Sequence, residues 1–301
     1  IPRCGCWHGN CEFSQQVLPR RQPAQWKKSM SFSVNTNVSA MVALRHLGAT
    51  QRMLEQTQLR ITTGLRVNGP KDDPSTYAIA QRMRGDIAGM GAVKTALAAG
   101  DSTLSVAIMG GKAVADLLTE MKAKVVQANQ AGLDTASRNA LQNDFTALRD
   151  QLSTIVQTAQ FNGKNLITSG ASNLEVLGSV QGATISVNSR SMDTTSLGIQ
   201  TASLFSASGA ATALTQINSA IDSVASSLAS FGSAARRIEI QTDFTSQLVD
   251  AMKAGVGNLV DADLAEESAN LVALQIKLQL GIQALSFANS GPGLILKLFQ
   301  R

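Results

Sequence analysis

LTQINSAIDSVASSLASF, residues 214–231, decides how this chain folds. Its apolar side chains Leu214, Ile217, Ile221, Val224, Leu228 and Phe231 fall at alternating intervals of three and four. That is the period of one stripe down an α-helix, and such a stripe has to be buried against another helix. Working outward, a second lattice runs Leu97, Leu104, Ile108, Ala115, Leu118 and Val125, and a third Leu141, Phe145, Leu148, Leu152 and Ile155. Nearer the start, Leu44, Leu47, Leu54, Ile61 and Leu65 share a 3/4 lattice interrupted at Gln51 and Gln58. Leu271, Leu274, Leu278 and Leu285 repeat the pattern near the end. The expected fold class is mainly α, with long antiparallel helices forming coiled-coil or bundle layers.

Punctuation sets the boundaries. Ser31 to about Leu65 reads as one helix after a short polar entry (Ser33 to Asn37), stopped by Gly64, Gly69 and Pro70 before the charged loop Lys71-Asp72-Asp73-Pro74. Helical periodicity resumes near Thr76, turns at Ala128–Asp134, and closes a third helix at Phe161-Asn162-Gly163. Leu174–Leu177 and Ala183–Val187 are short β-type runs separated by Gly178 and Gly182, so a small β-hairpin is expected within about 164–200. The helical pattern then lasts from about Gly209 to Asn289, weakened around Gly255 and Gly257. Unbroken, it would measure about 120 Å at 1.5 Å per residue. Ser290-Gly291-Pro292-Gly293 reads as its end, followed by the apolar patch Leu294, Ile295, Leu296, Leu298 and Phe299, which needs a partner.

Composition fits rods better than an enzyme. Aromatic residues are 4% of the 301 and there are six prolines. Mean hydropathy is near zero, which argues against wholesale disorder. No unbroken apolar run reaches the ~18–20 residues of a membrane span, so none is expected. The net charge of +5 is concentrated before Met30, where five basic residues face Glu12 alone. The remainder carries 21 basic and 20 acidic side chains, weak grounds for nucleic-acid binding. Cys4, Cys6 and Cys11, with Trp7 and Trp26, also precede Met30. Residues 1–29 are therefore read as a non-native or upstream leader without a fold of its own.

Candidate chemistry reduces to bland roles. No H-E-x-x-H, G-x-S-x-G, P-loop or G-x-G-x-x-G is present. Cys4, Cys6, His8 and Cys11 are packed more tightly than zinc pairs and lack a second half-site. His46 lies off the apolar stripe, while Asp72 and Asp73 read as loop acids near a helix start. Asp261, Asp263, Glu266 and Glu267 read as a solvated face or N-terminal cap. We expect no catalytic residue, cofactor or metal.

Several stretches resemble bacterial flagellin. They are Met30 through Asn37-Val38-Ser39-Ala40, Arg60-Ile61-Thr62-Thr63-Gly64-Leu65-Arg66-Val67-Asn68 to Asp73, and Phe161-Asn162-Gly163-Lys164-Asn165-Leu166. Thr184–Val187 with Ser196-Leu197-Gly198, and Asp261-Ala262-Asp263 through Glu267-Ser268, Gln275-Ile276, Leu285 and Ala288-Asn289, continue the likeness. It covers nearly all of Met30–Arg301. It implies a filament subunit whose two ends, 31–75 and 256–301, pair as the innermost coiled coil, with 76–255 as the surrounding layer. The apolar stripe residues Leu44, Leu47, Leu54, Ile61, Leu65, Leu271, Leu274, Leu278 and Leu285 would then be assembly contacts. Ends disordered in the monomer would order on assembly. It also implies secretion through the flagellar export apparatus, an export chaperone holding Leu294–Phe299, and hook-associated and cap proteins as neighbours. Where the family commonly has Leu-Gln-Arg, this chain has Leu118-Thr119-Glu120, which implies weak recognition by the toll-like receptor for flagellin.

Two other readings compete. A flagellin-like surface protein could hold an anionic polysaccharide through Lys122, Lys124, Arg236 and Arg237, although Glu239 stands close to the arginine pair. A hook–filament junction protein would share the paired-helix architecture.

Overall fold

The computed structural model describes residues 36–298, with backbone alone for 291–298. The expected leader at 1–29, its cysteine cluster, Phe299, and the side chains of Leu294, Ile295, Leu296 and Leu298 lie outside the described residues. In chain order the elements are α1 (Val38–Thr63), α2 (Pro74–Ala128), α3 (Thr135–Thr158), β1 (Gln160–Phe161), β2 (Lys164–Asn165), β3 (Leu174–Leu177), β4 (Thr184–Val187), α4 (Ala207–Val260) and α5 (Leu264–Leu298). They fall into a central unit, Gln56–Asn270, and a terminal unit made of residues up to Glu55 and from Leu271 onward. The division lies inside α1 and α5. Residues 65–67 and 256–260 join the central unit through a small core of Val67, Ala80, Val256 and Val260, packed by Tyr77 and Met83.

In the central unit, α2 and α4 are each about 80 Å long by rise per residue. They run antiparallel, because Gly111 of α2 abuts Leu228 of α4 while Met83 abuts Gly255. The 214–231 stripe packs as its spacing requires. Ile217, Val224 and Phe231 are fully buried, and Leu214, Ile221 and Leu228 flank them. Leu97, Leu104, Leu118 and Val125 answer from α2, and Phe145 and Leu152 from α3. One polar side chain inside this core is matched: Gln142 is buried and its Oε1 accepts from Leu204 N at 2.7 Å.

The Phe161-Asn162-Gly163 turn is a two-residue hairpin joining β1 to β2. Asn162 (φ 49°) and Gly163 (φ 77°) both take left-handed backbone, the geometry that lets a tight turn follow strand twist. Strands β3 and β4 pair antiparallel, Leu174 opposite Val187 and Leu177 opposite Thr184. Val176 of β3 sits directly on Gly100 of α2, where any side chain would collide with it.

Two boundaries differ from expectation. The long C-terminal helix breaks at 261–263, not near Gly255 and Gly257. The cause is a distant partner: Arg66 N and Val67 N donate to Val260 O, and Ala262 N donates to Gly64 O. Asp263 then caps α5, its Oδ1 accepting from Ala265 N and Glu266 N. At the other end the helix continues through Gly291-Pro292-Gly293 to Leu298. A proline removes one main-chain donor, and the turns on either side keep their own hydrogen bonds.

Candidate assembly surface

In the terminal unit, α1 and α5 lie side by side and antiparallel. Asn37 Nδ2 donates to Ala288 O at 2.7 Å, and Leu47 fills the space over Gly281, where an added Cβ would meet its Cδ1 at 3.0 Å. On α5 the covered residues are Leu271, Leu274, Leu278, Gly281, Leu285 and Ala288, a 3/4 heptad seam that includes every leucine expected there. On α1 the covered positions are Ala40, Ala43, Leu47, Gly48, Ala49, Thr50 and Leu54. Leu47 and Leu54 are as expected, but the alternate positions sit one residue earlier than the leucine lattice placed them. Small Ala43 and Thr50 let α5 approach, and Leu44 is left 59% exposed. It edges a cleft of about 450 Å³ lined by Ala40, Met41, Leu44, Ile282, Leu285, Ser286 and Asn289.

The seam covers only one side of each helix. Val272, Ile276, Leu280 and Phe287 are all exposed, and each stands two residues from a seam position, about 200° around the helix. Val38, Met41, Val42 and Met53 are likewise exposed on α1. By length and composition Leu264–Ser290 is apolar enough to cross a membrane, though only 6% of that window is buried. The expectation from unbroken runs did not register this, because Glu266, Glu267, Lys277 and three glutamines interrupt the run without lowering its mean hydropathy much. An apolar helix uncovered on one side calls for another apolar surface.

Where α1 meets α5 in the central unit, Arg60 Nη1 and Glu267 Oε1 form an ion pair at 2.8 Å. Thr57 and Glu267 are buried beside it. Ile61 and Leu65 are half-buried, and Leu65 forms a β-bridge with Asp261. The adjacent loop acids are structural. Asp72 Oδ2 accepts from Asn68 N and Gly69 N. Asp73 caps α2, its Oδ1 accepting from Ser75 N and Thr76 N. The Thr76 hydroxyl, then its backbone amide, holds the Asp73 carboxyl below its ordinary pKa.

Two family models match this chain. Residues 34–172 match the bacterial flagellin N-terminal helical region and residues 214–299 the bacterial flagellin C-terminal helical region. The chain belongs to the bacterial flagellin family. Flagellin FljK of Caulobacter vibrioides is 40% identical over 269 residues, covering 89% of this chain and 98% of its own length. A flagellin of Brucella melitensis is 34% identical over 284 residues, covering 89% and 99%. The fold is shared with a putative flagellar hook-associated protein of Vibrio parahaemolyticus, at TM-score 0.54 and 13% identity over 63% of this chain and all of that one. This flagellin is a structural subunit of the flagellar filament, and its place is the flagellum at the cell surface. The family is one of structural proteins. It is a short form, since β4 leads to α4 through only residues 188–206.

The basic residues proposed for a polyanion do not converge in this flagellin. Lys124 Nζ is paired with Asp144 Oδ2 at 2.8 Å, and that hydrogen bond and charge raise its pKa. Lys122 lies 11 residues past Gly111 on α2, whereas Arg236 lies eight past Leu228 on antiparallel α4. That separates the two pairs by about 28 Å along the rods. Arg236 and Arg237 are exposed, and neither has an ion pair among the described residues. Among those residues no group of three or more His, Cys, Asp or Glu could hold a metal. His46 is exposed on α1.

Proposed function

We propose that this flagellin polymerises through its terminal unit. The observation that carries the reading is the two-sided apolar character of α5, with one side seated on α1 and the opposite side uncovered. In a filament the uncovered sides face neighbouring copies, and their burial offsets the entropy lost on ordering. Leu47, Leu54, Ile61, Leu65, Leu271, Leu274, Leu278 and Leu285 hold the chain ends together, and Leu44 faces outward to the next subunit. Contacts between different patches on successive copies build a helical filament when the rotation from copy to copy does not close a ring.

The export chaperone, on this reading, takes the segment Leu294–Phe299 during secretion through the flagellar export apparatus, and hook-associated and cap proteins bound the finished filament. Sedimentation and negative-stain microscopy test the mechanism. The full chain forms filaments, and a version ending at Asn270 stays in the supernatant. Filaments from the shortened chain would remove the terminal unit from the mechanism.

A further inference from the structure

The terminal unit carries a knob and a hole on different faces, and we propose that Phe287 of one copy seats in the α1/α5 cleft of the next. This rests on the polymerisation reading above and names the contact it uses. Phe287 is 77% exposed, the most exposed of the large apolar side chains described. The cleft of its own copy is out of its reach, since Phe287 lies about 200° around α5 from Leu285, which lines that cleft. The cleft, about 450 Å³, is lined by the apolar Ala40, Met41, Leu44, Ile282 and Leu285 together with Ser286 and Asn289. That is a mainly apolar, open site with a volume large enough for a phenyl ring.

A second copy is the occupant favoured over lipid. α1, which supplies half the cleft, carries exposed Arg45, Arg52 and Glu55, and those charges are costly to immerse in a bilayer. A filament subunit, by contrast, always has its own copies as neighbours. Knob and hole on one unit, facing different ways, give a heterologous contact, which propagates where the rotation from copy to copy does not close a ring.

Photo-cross-linking in the filament reads this directly. A benzophenone analogue of phenylalanine is placed at position 287, and the variant is copolymerised with an excess of isotope-labelled wild-type chain. Cross-links from position 287 to residues 40–44 or 282–289 of the labelled copy are expected. Filaments whose cross-links map elsewhere, or to the same chain, overturn the contact. So do cross-links that form only to lipid when phosphatidylglycerol vesicles are added. As a second measurement, Phe287→Ala and the cleft-filling Ser286→Trp each raise the critical concentration at least about tenfold with unchanged monomer circular dichroism. Equal critical concentrations in wild type and both variants overturn the proposal. If the wild type itself forms no filaments, it is the polymerisation reading that fails.

Discussion

Arg60 Nη1 donates to Glu267 Oε1 at 2.8 Å across 207 residues of sequence, tying the end of the first helix to the first turns of the last. The neighbouring Arg60 Nε is buried without a partner among the described residues, so the carboxylate is what compensates this guanidinium. Glu267→Gln keeps the shape and removes the charge. We expect it to lower monomer stability by about 1 kcal/mol, less than a fully buried pair because the Arg60 side chain keeps 29% of its exposure. Arg60→Met with Glu267→Leu costs less than the two single changes added together, as urea unfolding in a double-mutant cycle would show.

The Asp73 cap supplies a pH dependence. Its carboxyl is held below the ordinary value by Thr76, so the folded state prefers the ionised form. That stabilisation is present above the unfolded pKa of about 3.9 and is lost as pH falls through the folded value. Asp73→Asn keeps a capping oxygen but cannot ionise. Thermal midpoints of wild type and Asp73→Asn should therefore differ at pH 7, and the gap should narrow as pH falls below the ordinary carboxylate range. A gap that stays constant over that fall contradicts the assignment.

The register of the α1/α5 seam separates two neighbouring leucines. Leu47 packs over Gly281 while Leu44 faces outward. Leu47→Ala should speed amide exchange along α5 in the monomer. Leu44→Ala should leave monomer exchange unchanged and raise the critical concentration about tenfold, from the loss of roughly 1–2 kcal/mol of apolar burial per contact.

Much of this architecture was legible in the sequence, because periodicity reports burial within one helix and its partner. The stripes on α2, α3 and α4, the strands Leu174–Leu177 and Thr184–Val187, and the leucines of α5 lie where spacing put them. Three of the failures share a cause, a determinant outside the local pattern. The break at 261–263 is held by backbone groups of residues 64–67, which no local pattern contains. On α1 the seam uses Ala43 and Thr50, small because α5 comes close, so a search for leucines selected outward-facing Leu44 instead. Lys124 looked free until Asp144, 20 residues on, was brought beside it.

Gln142 gives a stability test inside the central core. Its buried Oε1 is the acceptor for Leu204 N. Gln142→Leu leaves that amide unpaired and should cost about 1–3 kcal/mol in urea unfolding. A neutral result would mean that the loop before α4 shifts to satisfy the amide elsewhere.

Glu120 stands exposed on α2 two residues after fully buried Leu118. With an acid where the family commonly has arginine, a cell-based toll-like receptor reporter should respond weakly to this flagellin and more strongly to Glu120→Arg.

Hydrogen–deuterium exchange of the same full-length preparation, before and after polymerisation, addresses the terminal unit most directly. Peptides covering residues 38–55 and 271–290 should gain more protection on polymerisation than any others of the chain, while buried peptides around Phe145 and Phe231 barely change. Filaments in which the terminal peptides exchange as fast as in the monomer would contradict assembly through α1 and α5.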